Sequence, residues 1–171
     1  MKAHFSMFAG YNRWADERML KAAATLAPDD FLADHGAFFG SLCGTLNHIV
    51  VTNRIWMRRF TGAGPVQTRL DEILTTDLHE LAGLMQAEDE RIIRYIDTLD
   101  DAALAGSVSY RTITNPAGIH QPLATALAHF FNHQTHHRGQ ATALLTRIGG
   151  RNAVEGLDLL LFQRETGIGL G

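Results

Sequence analysis

The pattern that most limits the fold of this chain is the recurrence of apolar residues at spacings of three and four. Such a pattern indicates an amphipathic helix, because residues three and four apart share one helix face. Pro28 ends the first of these stretches, and Ser41 is placed to cap the second. Four long helices with one apolar face each predict an all-α four-helix bundle. The stretches cover residues 4–26, 41–60, 76–99 and 122–148.

The segments between the predicted helices differ in length and character. Residues 28–40 are a linker rich in turn-forming residues, and residues 61–65 break the chain again. Residues 106–121 contain an alternating, β-branched run followed by the turn sequence Asn115-Pro116-Ala117-Gly118. This texture predicts a short strand or hairpin inside a long crossover between the third and fourth helices. A short C-terminal helix is predicted over residues 156–164.

Composition and charge narrow the functional classes. The chain is 46% hydrophobic and 19% charged with a formal net charge of −3, as in an ordinary soluble globular protein without a nucleic-acid partner. The densest basic cluster is Arg54, Arg58 and Arg59, which we expect on the exposed side of a helix end. The one cysteine, Cys43, excludes an intramolecular disulfide and fits a reducing compartment. With no signal peptide and no apolar run near ~18 residues, we expect a cytoplasmic protein without a membrane partner, folded as one domain over residues 1–171.

The fourth predicted helix carries four histidines, and helical geometry separates them into two groups. Measured from the centre of the apolar stripe at about 100° per residue, His137 lies about 40° away and His133 about 80° away on the same side. His129, near 120°, and His136, near 140°, face outward. His133 and His137 are four residues apart, the spacing that lets two imidazoles reach one metal ion. The outward pair His129 and His133 has the same spacing and stays an alternative, as does an ordinary hydrogen-bonded core histidine.

Two histidines rarely hold a metal alone, and the second predicted helix supplies a third. His48 neighbours Ile49 on the flank of the apolar face and can point toward a bundle interior from its margin. Alone, such a histidine is more often a core residue, but bundles commonly build metal sites from facing helices. The candidate ligands are therefore His48, His133 and His137. Glu88, on the apolar stripe of the third helix, either pairs with an arginine or supports the site as a buried acid.

Three polar residues near these histidines need partners of their own. Gln140 falls near the side of His133 on the helix and is a candidate to support the site. Arg138 turns away from it, toward a dimer or another helix. Asn12 interrupts the first apolar stripe, and since asparagine is a poor mid-helix residue, we expect it to bond another element or the site.

Four segments of the sequence carry a family resemblance. They are Tyr11-Asn12-Arg13-Trp14-Ala15, His48 followed by Trp56, Asn132-His133-Gln134-Thr135-His136-His137-Arg138-Gly139-Gln140, and the closing Gly156-Leu157-Asp158-Leu159-Leu160. Together they resemble the DinB/YfiT-like (damage-inducible) family of proposed metalloenzymes, over essentially the whole chain. The resemblance implies a four-helix bundle with a long crossover, usually a homodimer, that binds a divalent metal through His48, His133 and His137. Related proteins include thiol-dependent S-transferases and isomerases that use bacillithiol or mycothiol, while most members have no assigned reaction.

Three imidazole ligands leave coordination positions free for water or substrate, as in catalytic metal sites. An ion held this way lowers the pKa of a bound water or substrate thiol. We therefore expect a metal-dependent enzyme that activates a low-molecular-weight thiol, or water, for transfer or hydrolysis. The catalytic group would be a water on the metal, with Gln140 as a supporting residue. We expect one divalent transition metal per chain, zinc or nickel first, with iron and manganese as alternatives.

Two other functions fit the same sequence. A non-catalytic, stress-associated dimer could bind metal for stability or storage, with the ion fully enclosed. A helical bundle without metal could keep the same histidines as hydrogen-bonded core residues. The sequence leaves the native metal, the substrate and the roles of His129, His136 and Glu88 open.

Overall fold

Four long helices dominate the computed structural model, which describes residues 1–114 and 117–170. Shorter helices and one two-stranded hairpin connect them. The mainly helical fold predicted from the apolar repeats is confirmed. The elements, in chain order, are α1 (Lys2–Ala23), α2 (Pro28–Leu32), α3 (Leu42–Thr61), α4 (Leu78–Thr98), α5 (Asp101–Leu104), β1 (Ser107–Arg111), β2 (Gly118–Pro122), α6 (Leu123–Gly149) and α7 (Leu159–Thr166).

The short elements refine the predicted connections. Pro28 begins α2 inside the segment predicted as a linker, since proline suits the first turn of a helix. Strands β1 and β2 pair antiparallel between α4 and α6, as the alternating run predicted. Two residues of the predicted turn, 115 and 116, lie outside the described residues. Asp158 caps α7, which places the last helix slightly later than predicted.

Helices α3 and α6 run in opposite directions. Contacts between His48 and His137, and between Thr52 and Gln134, pair rising numbers on α3 with falling numbers on α6. Ser41 caps α3 as predicted, its hydroxyl oxygen accepting a hydrogen bond from a backbone N–H one turn later. The antiparallel arrangement sets the histidines of the two helices at one level of the bundle.

The connection over residues 62–77 runs back along the bundle, because α3 and α4 are parallel. At one end of this pair, Asn47 accepts hydrogen bonds from the residues just before α4, with a distance of 2.8 Å to the Leu74 nitrogen. Farther along, Arg54 of α3 lies 3.5 Å from Glu88 of α4. The returning chain therefore covers α3 on the side that carries His48.

The bundle interior has an apolar cluster at each end and polar residues between them. We call Asn12, Asp16, Asn53, Asp89 and Arg138, all buried, the polar layer. Since each lies between the two clusters along its own helix, the layer crosses the middle of the bundle. The apolar clusters are built around Met19, Leu46, Leu81 and Leu145 at one end and Phe5, Trp56, Ile92 and Phe130 at the other.

The part of the chain that the structure describes has no helix both long and apolar enough to cross a membrane.

Candidate metal centre

Three histidines from two facing helices converge beside the polar layer. The Nε2 atom of His137 lies 3.2 Å from Nε2 of His48 and 3.2 Å from Nε2 of His133. One donor atom from each of the three residues lies within 4.8 Å of the others. The structure thus brings together the three residues that the sequence analysis selected as candidate ligands.

Hydrogen bonds on the far side of two of these rings determine their tautomers. Nδ1 of His48 lies 2.7 Å from the Leu70 carbonyl oxygen, and Nδ1 of His137 lies 2.8 Å from Oε1 of Gln140. Because both oxygens can only accept, each Nδ1 carries the proton and donates it. In a neutral ring with the proton on Nδ1, Nε2 carries a lone pair and no hydrogen. The lone pairs of His48 and His137 therefore face each other. Two lone pairs arranged in this way can bind a cation.

The spacing of the three nitrogens suits a divalent transition metal. With metal–nitrogen bonds of about 2.0–2.1 Å, two ligand nitrogens lie about 2.9 Å apart at a right angle and about 3.4 Å apart at the tetrahedral angle. Both measured Nε2 separations, at 3.2 Å, fall between these values. The donor set is all imidazole, which suits zinc, nickel and iron(II). The residues present therefore fit a divalent ion in donor type and in these two separations.

The environment of the three imidazoles favours their neutral, metal-binding form. Burial lowers the pKa of His48 to about 4, with a further lowering by His137 and an opposing effect of the Leu70 carbonyl. Burial and the neighbouring histidines lower the pKa of His133 to about 3. Burial also lowers the pKa of His137, against the hydrogen bond to Gln140. At neutral pH a metal would not have to displace a proton from charged rings.

Phe39 packs against one face of the His48 ring. The two rings stack with centroids 4.0 Å apart. Phe39 can come this close to α3 because Gly44 lacks a Cβ, which would overlap the Phe39 carbonyl oxygen. One ring face of His48 is therefore shielded from solvent, while its Nε2 stays directed at the other histidines.

The two outward histidines of α6 are exposed, as helical geometry predicted. The ring of His129 lies 5.8 Å from that of His133, and Nε2 of His136 lies 3.3 Å from the Gln140 amide nitrogen. Neither histidine joins the converging group, which within residues 1–114 and 117–170 contains only His48, His133 and His137. The alternative pair of His129 and His133 therefore has no third donor there.

Glu88 adopts the ion-paired alternative and does not join the histidines. Its carboxylate lies 3.5 Å from Arg54 and 3.1 Å from Arg91, and its side chain is almost completely buried. Asn12 bonds a different helix, as expected: its Nδ2 donates to Oδ1 of Asp89 at 2.8 Å.

Sequence reasoning missed two buried acids of the polar layer, Asp16 and Asp89. Arg138 reaches across from α6 to hydrogen-bond Asn12 and to approach Asp16 at 3.4 Å, so it serves a helix contact. Burial raises the pKa of Asp16 to about 6 against the effect of Arg138, and burial together with Asp16 raises the pKa of Asp89 well above its usual value. Both acids therefore favour the protonated form more strongly than exposed carboxylates do. The signal in the sequence was that Asp16 lies one helical turn after Asn12, the polar residue that interrupts the apolar stripe of α1.

A cavity of about 260 Å³ lies beside His133, between α3, α6 and the chain around β1. Arg59, which was expected to be exposed, lines it and is half-buried against two aromatic rings, with its guanidinium carbon 4.5 Å from the Trp56 centroid and 4.6 Å from that of Tyr110. The prediction of an exposed basic cluster was wrong for Arg59, because the hairpin covers this end of α3, and for Arg54, because it pairs with buried Glu88. Arg58 is exposed, as expected. The spacing of Arg59 from Trp56 was visible in the sequence, whereas the position of Tyr110 was not.

These features define a class: helical bundles in which two antiparallel helices present a cluster of neutral histidines beside a small cavity. The comparisons with known proteins give the family. The sequence model of the DinB family matches residues 1–168, and the chain belongs to that family.

Two relatives extend the comparison. The chain is 23% identical to Protein DinB of Bacillus subtilis (strain 168), in a match that covers 91% of this chain and 92% of that protein. It is also similar to the crystal structure of a DinB-like protein from Bacillus cereus ATCC 10987. That match has a TM-score of 0.61 and 20% identity and covers 79% of this chain and 86% of the other. At this identity the second likeness concerns the fold alone.

Proposed function

We propose that this protein is a divalent-metal-dependent enzyme that activates a low-molecular-weight thiol, or water, for group transfer or hydrolysis. The observation that carries the proposal is the pair of Nε2 lone pairs of His48 and His137, which face each other at 3.2 Å. Two imidazole lone pairs at this distance can bind one cation. The neutral imidazole of His133 would be the third ligand.

The ligand count favours catalysis over storage. Among the described residues no further histidine, cysteine or carboxylate joins the three histidines, so a four- to six-coordinate ion keeps positions for exogenous ligands. When bound there, a divalent ion supplies Lewis acidity, which lowers the pKa of a thiol or water and stabilises developing negative charge. Zinc and nickel are our first choices, one ion per chain, with iron and manganese as alternatives.

The residues around the histidines have separable roles. The Leu70 carbonyl and the Gln140 amide hold the two innermost rings in one tautomer and orientation, and Phe39 shields one face of His48. The cavity beside His133 gives a substrate access to the same ring that would hold the ion. A storage site would need no such cavity, which is why we prefer the enzyme over a non-catalytic metal-binding dimer.

Metal analysis of tag-free protein is the first test. We expect about one equivalent of a transition metal in the wild type and a loss of that metal in His137→Ala. The matched control is His136→Ala, because His136 is the adjacent residue on α6 but is exposed and outside the group. Wild-type protein that neither carries nor takes up metal would leave a helical bundle with ordinary histidines and overturn the proposal.

Activity of the metal-loaded protein is the second test. We expect conjugation of an electrophile such as 1-chloro-2,4-dinitrobenzene with a cellular thiol, or hydrolysis of an ester or amide, and its loss in His137→Ala. Full metal occupancy without either activity, together with no exchange of solvent at the ion, would instead indicate the non-catalytic metal protein.

A further inference from the structure

The cavity beside His133 contains a positive charge without a carboxylate partner. Within residues 1–114 and 117–170, no acidic side chain forms an ion pair with Arg59. Its guanidinium donates a hydrogen bond from Nη2 to the Arg111 carbonyl oxygen at 3.3 Å. A guanidinium has five N–H donors. Most of the hydrogen-bonding capacity of this side chain is therefore open to a ligand.

The guanidinium is also held in place and partly removed from water. Its carbon packs against both the Trp56 and the Tyr110 ring, at 4.5 and 4.6 Å from their centroids, and these contacts fix its orientation before any ligand arrives. Burial lowers the pKa of Arg59, which is the sign of a charge that has lost solvation. A desolvated charge without a counter-ion is unfavourable, and a bound anion would relieve it.

No negative charge from the protein competes for this place. The described residues that line the cavity include no aspartate or glutamate. The charge of the cavity is thus the positive charge of Arg59. An ion bound at His133 would add its own positive charge.

We propose that Arg59 recognises a carboxylate, and that the substrate of this site is a small carboxylic acid whose reacting end lies toward His133. This inference rests on the proposed function, since it names the substrate class of the same site. A planar guanidinium matches a carboxylate with two parallel hydrogen bonds. In the proposed reaction a thiolate or hydroxide would offset the charge of the ion, which leaves the single charge of Arg59 for the rest of the substrate and favours a carboxylate over a doubly charged phosphate ester. The volume of about 260 Å³ is slightly below the range of about 300–1,000 Å³ of drug-sized ligand pockets, so the ligand is small.

The test compares two thiols that differ in one group, 3-mercaptopropionate and 3-mercapto-1-propanol. Their affinities for metal-loaded protein are measured by isothermal titration calorimetry, with Arg59→Gln beside wild type. We expect wild type to bind the acid about ten- to a hundred-fold more tightly than the alcohol, the range for a hydrogen-bonded charge pair. Arg59→Gln should lose this preference, and Arg59→Lys should keep part of it.

Arg58→Gln is the matched control, because Arg58 is the preceding residue, is exposed, and donates to the Gly64 carbonyl oxygen away from this cavity. It should bind both thiols as wild type does. Circular dichroism and thermal unfolding show whether each variant is folded. If wild type binds both thiols equally, or if folded Arg59→Gln keeps the preference for the acid, the assignment of Arg59 is overturned.

Failure of the proposed function is distinguishable from failure of this inference. If the protein holds no metal, the acid and the alcohol are titrated into metal-free wild type and Arg59→Gln and followed by NMR chemical shifts. A preference for the acid that depends on Arg59 supports the anion site without the enzyme. Metal-dependent binding of both thiols without such a preference supports the enzyme without the anion site.

Discussion

Each of the two innermost imidazoles is held at the nitrogen that faces away from its neighbours. For His137 the partner is a side chain, Oε1 of Gln140 at 2.8 Å, and for His48 it is a backbone carbonyl. Such partners fix the tautomer of a ligand and raise its basicity. Only the first can be removed by substitution, which makes Gln140 the residue that tests the role of these hydrogen bonds.

Gln140→Ala should weaken metal binding about ten- to a hundred-fold without unfolding the protein. The expected cause is that His137 loses the acceptor that keeps its proton on Nδ1. Gln140→Glu keeps an acceptor oxygen and should retain most of the affinity. Competition with a chromophoric chelator measures both variants. Equal metal affinity in Gln140→Ala and wild type would show that this hydrogen bond does not prepare the ligand.

Asp89 allows a prediction about pH, because its pKa is raised in the folded protein. The cause is burial and the nearby Asp16, which has a raised pKa of about 6. Between the ordinary pKa of 3.8 and these raised values, the folded state binds more protons than the unfolded state. By linkage, the contribution of this pair to stability is present below about pH 4 and falls as the pH rises through about 6 and above.

Asp89→Asn should therefore gain stability relative to wild type as the pH increases from about 4 to 8. The amide needs no proton, can still accept the hydrogen bond from Asn12, and leaves Asp16 free to ionise beside Arg138. Urea unfolding of the metal-free proteins at several pH values measures the difference in the free energy of unfolding. The histidines, with lowered pKa values, give the opposite slope in both proteins and cancel. If the difference in the free energy of unfolding between the two proteins does not change with pH, the pKa of Asp89 is not raised in the folded protein.

For single residues, the sequence predicted which way a side chain faces better than which group it contacts. His133 and His137 face inward, and His129 and His136 are exposed, because the angle between two residues of one helix is fixed. The Leu70 carbonyl could not be assigned to His48, because it comes from an irregular segment 22 residues away. Asp16 was missed because the partner that neutralises it, Arg138, lies on another helix.

Helix α3 is the element that determines the position of His48, and it is buried along most of its length. Its residues 42–53 are all buried, between α4, α6 and the connection that returns along it. The chain before α3 crosses its first turn at Gly44, where a Cβ would overlap the Phe39 carbonyl oxygen. The absence of a side chain there lets Phe39 reach His48.

Gly44→Ala should destabilise the protein by about 1–3 kcal/mol, the usual effect of overpacking. Alanine is otherwise the better helix former, so the loss would report the close contact with Phe39. Gly83→Ala is the matched control: Gly83 is exposed on α4 with open space where an alanine Cβ would lie, and it should gain about 0.5–1 kcal/mol. Denaturant unfolding measures both. A stabilised Gly44→Ala protein would show that the approach of Phe39 is not tightly constrained.

The elements themselves were largely predictable, and their connections were not. Each long helix and the hairpin followed from local spacing and from residues such as Ser41, which determine structure within a few positions. The path of residues 62–77 depends on hydrogen bonds to Asn47, and nothing local to that segment encodes them. The packing of the hairpin over Arg59 was missed for the same kind of reason, because the contact of Tyr110 with Arg59 is not local in sequence.

For the molecule as a whole, the candidate metal centre lies where α3 meets α6, beside the polar layer. His48 and His137 are 89 residues apart in sequence and belong to helices of opposite direction. An ion held by both residues would connect the two helices near the middle of the bundle.

Removal of metal should therefore destabilise the entire bundle. Binding to the folded state alone stabilises it by about 4 kcal/mol when the free ion is at about 1,000 times its dissociation constant. Thermal and urea unfolding with metal and with excess chelator measure the change, which should be lost in His137→Ala and retained in His136→Ala. Identical unfolding with and without metal would contradict binding at these histidines. A loss of cooperativity on chelation, with the hairpin end of the bundle still protected from hydrogen exchange, would localise the effect to the contact between α3 and α6.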